Sequence, residues 1–568
     1  MRAGRVWVGL RGELPTDGPQ MAHRCEVFLG VEHGMLAASC VRGVHNEGML
    51  ITHARLVGTD DLVDVTIADG RITAITPSDT ATDRERVATI RDAERDAARD
   101  ADRNTSDTVD IVDADGMWII PGLWDCHTHF TQWSKTLGRL DLINARSAAE
   151  AMAMLREHLE ARRAAGTLDP NAFVVGMRFR HSLWSDSEQP TLAAIDAVTG
   201  DQPVALSSAD MHCGWVNSAA ARRLGVEVDA TGLVGELAWF NAYTQFDKAP
   251  GAAEETDRLL REAERDAAAK GVVGIRDYEM AENVNTWIAR FAAGINGLRV
   301  EAGVYPERMQ AAIDAGWHTG MPLPGSHGLG TVGPMKLISD GSLNTRSAYC
   351  STPYSGIEPP TYGTLSYTPQ QIEDYMRLAT EHDFDIACHA IGDEANTIVL
   401  DAAAATGAHG SIEHAQMLKP VDIPRFAQLG LTASIQPQHA MDDRDVIARF
   451  WANPAGIPYA FRSLYDAGAK LRMGSDAPVA PLDPWLAISA AVFGTESSSR
   501  EPFQPEQCLP VEVALAASTE VGRVNPAAGD PADLVLLDTD PTALETPEAM
   551  RAMPSHVVMT FVAGQRTH

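Results

Sequence analysis

The chain has 568 residues, 45% of them hydrophobic, which is enough for one large domain and one or two smaller ones around a sizeable core. Its 77 acidic and 46 basic residues give a formal net charge of −31, and such a charge disfavours binding to nucleic acids and anionic membrane surfaces. No apolar run reaches the roughly 18 to 20 residues of a membrane span. The seven cysteines contain no CxxC pair, which indicates reduced thiols and predicts a cytoplasmic enzyme.

The amino-terminal part of the chain contains short strand-like runs interrupted by charged sequence. Residues 1–48 have no clear periodicity and form a leader whose structure the sequence does not define. Over residues 49–116, apolar runs alternate with Asp-Asp and Asp-Gly turns, which is typical of strands joined by tight turns. Residues 80–108 interrupt this pattern with Asp, Glu, Arg and Ala at helical spacing, which indicates a solvated helix or an insertion without catalytic groups.

The next element is an apolar run that leads into His127-Thr128-His129. In an extended segment residues i and i+2 point to the same side, so both imidazoles can bind one cation at the end of a strand. The apolar run itself suits a strand that is buried on both faces, as in a parallel barrel or sheet. The pair alone is weak evidence, because paired histidines are also common on surfaces and in cores.

Residues 117–524 repeat a strand-then-helix pattern that predicts an α/β fold, specifically a (β/α)8 TIM barrel. The interval between the first and second apolar runs is too long for one crossover helix, so we expect an inserted subdomain at about residues 140–250. After the run that precedes His127, the predicted barrel strands lie at 271–276, 298–302, 334–338, 384–388, 410–413, 431–435 and 470–473.

The carboxyl-terminal segment, residues 525–568, again contains strand-like runs. They most simply pair with the strands of residues 49–116 and form a small β-sandwich from both chain ends. Such pairing would hold the two ends of the barrel together.

Groups that can bind a cation stand at the carboxyl ends of several predicted barrel strands. These ends open on one face of a barrel, so ligands far apart in sequence meet there. Imidazoles and a carboxylate suit Zn²⁺, Mn²⁺, Fe²⁺ or Co²⁺, and such a cation lowers the pKa of bound water from 15.7 to about 7, which favours hydrolysis. The groups are His127 and His129 on the first strand, Lys336 on the fourth, His389 on the fifth, His414 on the sixth and Asp476 on the eighth.

Six motifs follow one another along the chain: Pro121–His129, Lys336–Leu343, His389–Asp393, Ile412–Gln416, Ser434–His439 and Gly474–Val479. Together they resemble the amidohydrolase superfamily, and within it the YtcJ-like amidohydrolases, which include N-substituted formamide deformylases. The resemblance runs from about residue 49 to the carboxyl terminus.

The resemblance implies a role for each ligand. His127 and His129 would bind the more buried cation, and Asp476 would bind the same cation while holding a proton of the attacking water. A second cation would be bound by His389 and His414. Zn²⁺ is the most suitable cation, and the site would hold one or two such ions.

Lys336 has two interpretations. A free ammonium beside a dication is repelled, so the resemblance implies carboxylation of Lys336 by CO₂ to a bridging carbamate. The alternative is a lysine whose charge pairs with Asp340, and that arrangement favours one cation over two.

Further residues are candidates for contacts with the substrate. We predict catalytic roles for Asp476 and for His439, which ends the seventh strand on the active face. His212 lies in a segment that resembles a family element of the inserted subdomain, where a catalytic contact and a structural turn are equally open. The predicted substrate-binding residues are Arg346, which follows the Lys336 motif, Gln436, and Trp133 and Trp215, for which simple packing is the alternative.

These features predict a metal-dependent amidohydrolase that cleaves a non-peptide carbon-nitrogen bond, of the N-substituted amide or formamide type, through attack of metal-bound hydroxide. The same site would suit an ester, a lactone or a phosphotriester. A non-catalytic binding or regulatory protein with a retained fold is the alternative from another class. The expected partner is a small-molecule substrate, without nucleic acid or membrane, and a homo-oligomer is left open.

Overall fold

The computed structural model describes residues 48–78, 110–181, 184–208, 213–235, 238, 239, 242, 252–343 and 345–568. The predicted leader, apart from Gly48, and the predicted charged insertion lie outside these residues, as does His212. Within the described ranges, no helix combines the length and the apolar composition that crossing a membrane requires.

The strands are, in chain order, β1 (Met49–Leu56), β2 (Leu62–Ala68), β3 (Arg71–Pro77), β4 (Asp110–Asp113), β5 (Trp118–Pro121), β6 (Leu123–Thr128), β7 (Leu140–Asp141), β8 (Val174–Phe179), β9 (Val204–Ser208), β10 (Cys213–Val216), β11 (Leu233–Gly235), β12 (Val272–Asp277), β13 (Arg299–Val304), β14 (Gly330–Ile338), β15 (Ile386–Ala390), β16 (Gly410–His414), β17 (Met417–Leu418), β18 (Thr432–Ile435), β19 (Ile457–Pro458), β20 (Lys470–Met473), β21 (Leu534–Leu537), β22 (Val557–Val562) and β23 (Gln565–Arg566). The α-helices are, in chain order, α1 (Phe130–Leu137), α2 (Ala148–Ala164), α3 (Leu192–Thr199), α4 (Ser218–Leu224), α5 (Ala252–Ala268), α6 (Asn283–Ala292), α7 (Pro306–Asp314), α8 (Pro369–Glu381), α9 (Asp393–Thr406), α10 (Ile423–Leu429), α11 (Pro437–Phe450), α12 (Phe461–Asp466), α13 (Pro484–Phe493), α14 (Val511–Ala517) and α15 (Pro547–Arg551).

Eight of these strands form a barrel sheet in which all neighbouring pairs are parallel. Their order around the sheet is β6, β12, β13, β14, β15, β16, β18 and β20. β6 is buried at every position, because helices cover the outside of such a sheet and side chains fill its interior. The predicted (β/α)8 barrel is confirmed.

Capping residues and apolar stripes in the sequence account for the barrel helices, and α8 is an example. Thr368 and Gln371 form a capping box in which each side chain accepts the backbone N–H of the other, and Pro369 occupies the first helical turn. The apolar stripe at helical spacing that faces the barrel consists of Ile372, Met376 and Ala379.

Backbone contacts close the barrel between its first and last strands. The Asp476 N–H donates to the carbonyl of His127 at 2.7 Å. The Asp125 carboxylate accepts hydrogen bonds from the N–H groups of His127 (3.2 Å) and Ser475 (2.9 Å). The closure therefore places the histidine pair directly against the segment that carries Asp476.

Strands from both ends of the chain share a second sheet. It is eight-stranded, in the order β23, β22, β21, β5, β1, β2 and β3, with β4 paired to β1. β21 is antiparallel to β5, with Leu536 opposite Ile119, and both side chains are fully buried. The two chain ends are thus joined in one hydrogen-bonded sheet beside the barrel.

The inserted subdomain lies between β6 and β12 in the chain. Its five-stranded sheet has the order β11, β10, β9, β8 and β7. A separate hydrophobic core, which includes Phe179, Trp184 and Trp215, packs this sheet against α2 and α3.

Candidate metal centre

The predicted ligands all lie at or just beyond the carboxyl ends of barrel strands. Because the strands are parallel, these ends face the same side of the barrel. His127 lies in β6 with His129 directly after it, Lys336 lies in β14, His389 in β15, His414 at the end of β16, and Asp476 shortly after β20.

Asp476 is the centre of the cluster. Its Oδ1 lies 3.5 Å from Nε2 of His127 and 3.4 Å from Nε2 of His129. The Lys336 Nζ lies 3.3 Å from His127 Nε2. One ligand atom each from His127, His414 and Asp476 lie within 4.8 Å of one another. The barrel therefore brings together residues from four separate strands.

These separations fit a divalent cation between the residues. Atoms that coordinate Zn²⁺ tetrahedrally at about 2.0–2.1 Å stand roughly 3.4 Å apart, which is the spacing of Asp476 Oδ1 from the two Nε2 atoms. The Nδ1 atoms of His129 and His414 are buried and have no hydrogen-bond partner among the described residues. Imidazole nitrogens together with a carboxylate oxygen form a suitable donor set for a borderline cation.

Glu413 fixes the orientation of His127. Its Oε2 lies 2.7 Å from His127 Nδ1, and the two side chains are 0% and 1% exposed. Burial raises the pKa of Glu413, but the hydrogen bond from His127 and the positive charge of Lys336 outweigh it and lower the pKa to about 2. Burial, together with the charge of Lys336, lowers the pKa of His127 to about 4.

The tautomer of His127 follows from this contact. At neutral pH Glu413 is an ionised carboxylate that can only accept, so neutral His127 carries its proton on Nδ1 and donates it to Glu413. The lone pair of Nε2 then faces Lys336 and Asp476, where a cation would be bound.

Lys336 is buried beside the ring of Tyr278. It is 2% exposed, its Nζ lies 4.7 Å from the ring centre, and burial lowers its pKa. No ion pair joins Lys336 to Asp340 in the described part of the chain, because the Asp340 carboxylate accepts the backbone N–H groups of Tyr349 (2.9 Å) and Gly392 (2.9 Å). The alternative in which Lys336 pairs with Asp340 is therefore corrected by the structure.

Asp340 also faces His389. The His389 Nε2 lies 3.4 Å from Asp340 Oδ1 and 3.3 Å from the carbonyl of Gly341. The ring centre of His389 lies 4.5 Å from that of His414. A proton on Nε2 that serves these acceptors leaves Nδ1 of His389 as the nitrogen with a free lone pair.

His439 and Asp476 form a hydrogen-bonded pair. His439 lies in the first turn of α11, with Nε2 3.3 Å from Asp476 Oδ2. Burial lowers the pKa of His439, but its hydrogen bond with Asp476 and the charge of that carboxylate outweigh burial and raise the pKa. The pair is placed to hold and pass a proton beside the cluster.

The backbone at two predicted ligands adopts a left-handed conformation. Asp476 has φ of 59° and His414 has φ of 71°. Such conformations in residues other than glycine cost roughly 1–3 kcal/mol each and are concentrated at functional sites.

The two predicted tryptophans lie in hydrophobic cores and form no substrate wall. Trp215 is fully buried and packs edge-on against Phe179 and Trp184, with ring centres 6.3 and 6.5 Å away. Trp133 is 4% exposed in α1, 5.5 Å from the ring of Phe130. The substrate-binding prediction for both is corrected, because packing removes each indole from solvent and ligand alike.

Arg346 and Gln436 have different surroundings, and their substrate-binding roles stay predictions. The Arg346 guanidinium lies 5.4 Å from the ring centre of Phe450, which stands about 16 Å beyond His439 along α11. Arg346 therefore lies toward the outer end of that helix. Gln436 is 1% exposed with its Nε2 3.4 Å from His127 Nδ1, so it lies buried behind His127 and does not line the open mouth of the barrel.

The carboxylates behind the ligands were not among the functional residues predicted from the sequence. Glu413 and Asp340 each face a histidine, and Asp125 holds two ligand segments together. A signal was present for Glu413, since a charged residue in a strand that is otherwise apolar must face either the interior site or a buried partner. Which histidine it would meet could not be read, because that histidine lies 286 positions away.

Comparison with known proteins agrees with this arrangement. The profile of the amidohydrolase family matches residues 110–568. Over 471 residues the chain is 27% identical to the putative amidohydrolase YtcJ of Bacillus subtilis (strain 168), covering 76% of this chain and 86% of that protein. Over 513 residues it is 25% identical to the N-substituted formamide deformylase of Arthrobacter pascens, covering 80% of this chain and 89% of that protein.

A solved structure agrees in fold. The crystal structure of an uncharacterized metal-dependent hydrolase from Pyrococcus horikoshii aligns with a TM-score of 0.69 at 21% identity, covering 90% of this chain and 100% of that chain. Fold and site thus define a (β/α)8 barrel with a His/Asp cluster at its mouth that is able to hold a metal ion. The chain belongs to the amidohydrolase family, and the predicted resemblance to YtcJ-like proteins and N-substituted formamide deformylases is confirmed.

Proposed function

We propose that this chain is a metal-dependent hydrolase of a non-peptide carbon-nitrogen bond, of the N-substituted amide or formamide type. The observation that carries the proposal is the position of Asp476 Oδ1, 3.4–3.5 Å from Nε2 of both His127 and His129 at the mouth of the barrel. The similarity to an N-substituted formamide deformylase supports the type of bond.

The cation would be held by His127, His129 and Asp476, with His414 and Lys336 alongside. A divalent cation in this place, most suitably Zn²⁺, supplies a Lewis acid that polarises the substrate carbonyl and lowers the pKa of water. Asp476 takes a proton from the attacking water, whose oxygen forms a new bond to the carbonyl carbon. The carbon-nitrogen bond breaks, and Asp476 passes the proton to the leaving nitrogen.

His439 supports this proton transfer. Its Nε2 lies 3.3 Å from Asp476 Oδ2, so it orients the carboxylate and leaves Oδ1 toward the histidine pair. His439→Ala should therefore lower kcat more than it raises KM.

Lys336 determines how many cations fit. Carboxylation of its buried amine by CO₂ would produce an anionic group that two cations can share. An unmodified amine 3.3 Å from His127 Nε2 instead favours one cation. Metal quantification and a crystal structure of the metal-loaded protein distinguish the two states.

The experiment that tests the proposed function combines metal removal, one substitution and a substrate panel. Treatment with a chelator should abolish turnover, and Asp476→Asn should lower kcat by several orders of magnitude. Asp466→Asn, in an Asp466–Arg462 pair on the surface of α12, is the matched control and should keep wild-type activity. The panel contains formamides, longer amides, cyclic amides and esters of matched size.

Other outcomes contradict the proposed function or favour an alternative to it. Full activity after chelation, or in Asp476→Asn, contradicts the mechanism. Less than one equivalent of tightly bound metal in protein purified without chelator favours a non-catalytic binding protein. Faster turnover of esters than of amides contradicts the assignment to a carbon-nitrogen bond.

A further inference from the structure

A cavity of about 310 Å³ on the side of β13 and β14 reaches Lys336, which among the described residues is the one predicted ligand that lines it. Its floor is formed by Lys336 and Ile338 at the end of β14. Its walls include Met280, Tyr305 and Tyr367. None of these wall residues was singled out by the sequence motifs, and the cavity reaches the same Lys336 that lies beside His127.

The cavity is large enough for more than a small acyl group. A cavity of about 150 Å³ in a protein interior holds benzene, and pockets for small ligands begin at about 300 Å³. The volume of 310 Å³ therefore accommodates a six-membered ring together with the atoms that link it to a scissile bond.

The walls are held in place and present mainly apolar surface. The Tyr305 hydroxyl donates to the carbonyl of Tyr278 at 2.9 Å, and the ring of Tyr278 packs edge-on against His127 with centres 4.9 Å apart. Tyr367 packs edge-on against Tyr375, with ring centres 5.3 Å apart. One wall of the cavity is thus connected, through Tyr278, to the predicted ligand His127.

Two of the charged residues that line the cavity, Glu307 and Arg308, have polar partners, and the third, Lys336, lies beside His127 and the ring of Tyr278. The Arg308 Nη1 lies 2.6 Å from Glu282 Oε1, and the Tyr367 hydroxyl donates to Glu307 Oε1 at 3.5 Å. A charged substituent would lose hydration on entering and would have to compete for these groups. A neutral apolar substituent loses no such hydration and gains burial.

We propose that this cavity is the specificity pocket of the enzyme and that it takes an uncharged, apolar substituent of the substrate, up to a six-membered ring with its linking atoms. Met280 is the specificity-determining residue at its mouth, where its side chain is 65% exposed and close to the incoming group. The proposal rests on the proposed hydrolysis of a carbon-nitrogen bond, because it assigns the group that is attached to that bond.

The test uses the metal-loaded full chain and two substrate series, one substituted on the nitrogen and one on the acyl carbon. Each series carries methyl, cyclohexylmethyl and carboxymethyl substituents. We expect kcat/KM to rise by roughly tenfold or more from methyl to cyclohexylmethyl in one series, and to fall for carboxymethyl. Equal kcat/KM across all substituents in both series overturns the pocket while leaving the proposed function standing.

Met280→Glu places a charge at the mouth of the cavity. It should remove the preference for cyclohexylmethyl, measured as the ratio of kcat/KM for cyclohexylmethyl to kcat/KM for methyl. Val421→Glu is the matched control, since Val421 is also an exposed apolar residue, 75% exposed, but does not line the cavity. An unchanged preference in Met280→Glu, with a normal melting temperature, contradicts the assignment of Met280.

Binding is measured separately from turnover so that the two proposals fail in different ways. Saturation-transfer NMR with cyclohexylmethanol should detect binding to the wild type and to Val421→Glu, and lose it in Met280→Glu. Binding with this pattern but no turnover of any panel substrate contradicts the proposed function and supports the pocket. Absence of binding to the metal-loaded wild type contradicts the pocket.

Discussion

Replacement of Glu413 by alanine removes the only carboxylate that the structure places within hydrogen-bond distance of the His127 Nδ1 among the described residues. The Gln436 Nε2 lies 3.4 Å from the same nitrogen and can then donate to it. That donation moves the His127 proton from Nδ1 to Nε2, the atom that faces Lys336 and Asp476. His127 then presents a proton where a cation needs a lone pair.

The size of the effect follows from two costs. Loss of a carboxylate behind a metal-binding histidine weakens metal affinity by about 10- to 100-fold. Glu413 and His127 are 0% and 1% exposed, so an unsatisfied group left behind costs a further 1–3 kcal/mol or so of folding free energy. Glu413→Gln should lie between the wild type and Glu413→Ala, because its amide oxygen can still accept the Nδ1 proton but carries no charge.

The assay is a Zn²⁺ titration of metal-free protein in competition with a chromophoric chelator, with melting temperatures recorded alongside. Ser411→Ala is the matched control, since Ser411 donates to the other oxygen of Glu413 without touching His127. It should keep an affinity close to that of the wild type. A folded Glu413→Ala protein that binds Zn²⁺ as tightly as the wild type would refute the reasoning.

Two further predictions concern packing and pH. Gly474→Ala should weaken metal affinity and cost about 1–3 kcal/mol of stability, because a Cβ there would lie 2.6 Å from the His127 backbone nitrogen. Gly235→Ala is the control, since a Cβ at Gly235 meets nothing within 4 Å. Equal Zn²⁺ titrations and equal urea midpoints for the two variants would contradict the clash. Burial raises the pKa of Glu264 from 4.5 to about 7, so the folded state keeps a proton that the unfolded state loses, and stability falls as pH rises from 4.5 to 7. Glu264→Gln can still accept the Gly297 N–H and should remove this loss of about 3 kcal/mol. Urea midpoints of the variant and the wild type at pH 4.5 and pH 8 measure the effect. The same difference in midpoint between the two proteins at both pH values would contradict the raised pKa of Glu264.

The strands and helices of the barrel were largely readable from the sequence. β6 and β15 are apolar runs because a parallel barrel buries both faces of each strand, so the local pattern and the tertiary environment impose the same requirement. The short spacing of His127 and His129 was likewise a local signal, since alternation along one strand places both side chains on the same side. Trp215 shows the opposite case, because a large apolar residue has the same local pattern whether it lines a pocket or fills a core.

For Lys336 the sequence predicts the position, and only the structure shows the contacts. Its position at the end of a barrel strand follows from the sequence, as does its order among the other predicted ligands. The residues that Lys336 contacts could not be predicted from the sequence. In the structure Asp340 accepts backbone N–H groups from other loops, and Lys336 lies beside His127 and Tyr278.

The sequence by itself determined the barrel, the inserted subdomain and the joining of the two chain ends, and it supplied the predicted cation ligands, because each depends on a periodicity or a motif within a short stretch. Only the tertiary structure decided which carboxylate stands behind which histidine, that Trp133 and Trp215 are core residues, and that a cavity walled by Met280, Tyr305 and Tyr367 opens onto Lys336. These features arise from contacts between strands and loops that are far apart in the chain. Their energies depend on distance and burial in three dimensions, which no local sequence pattern specifies.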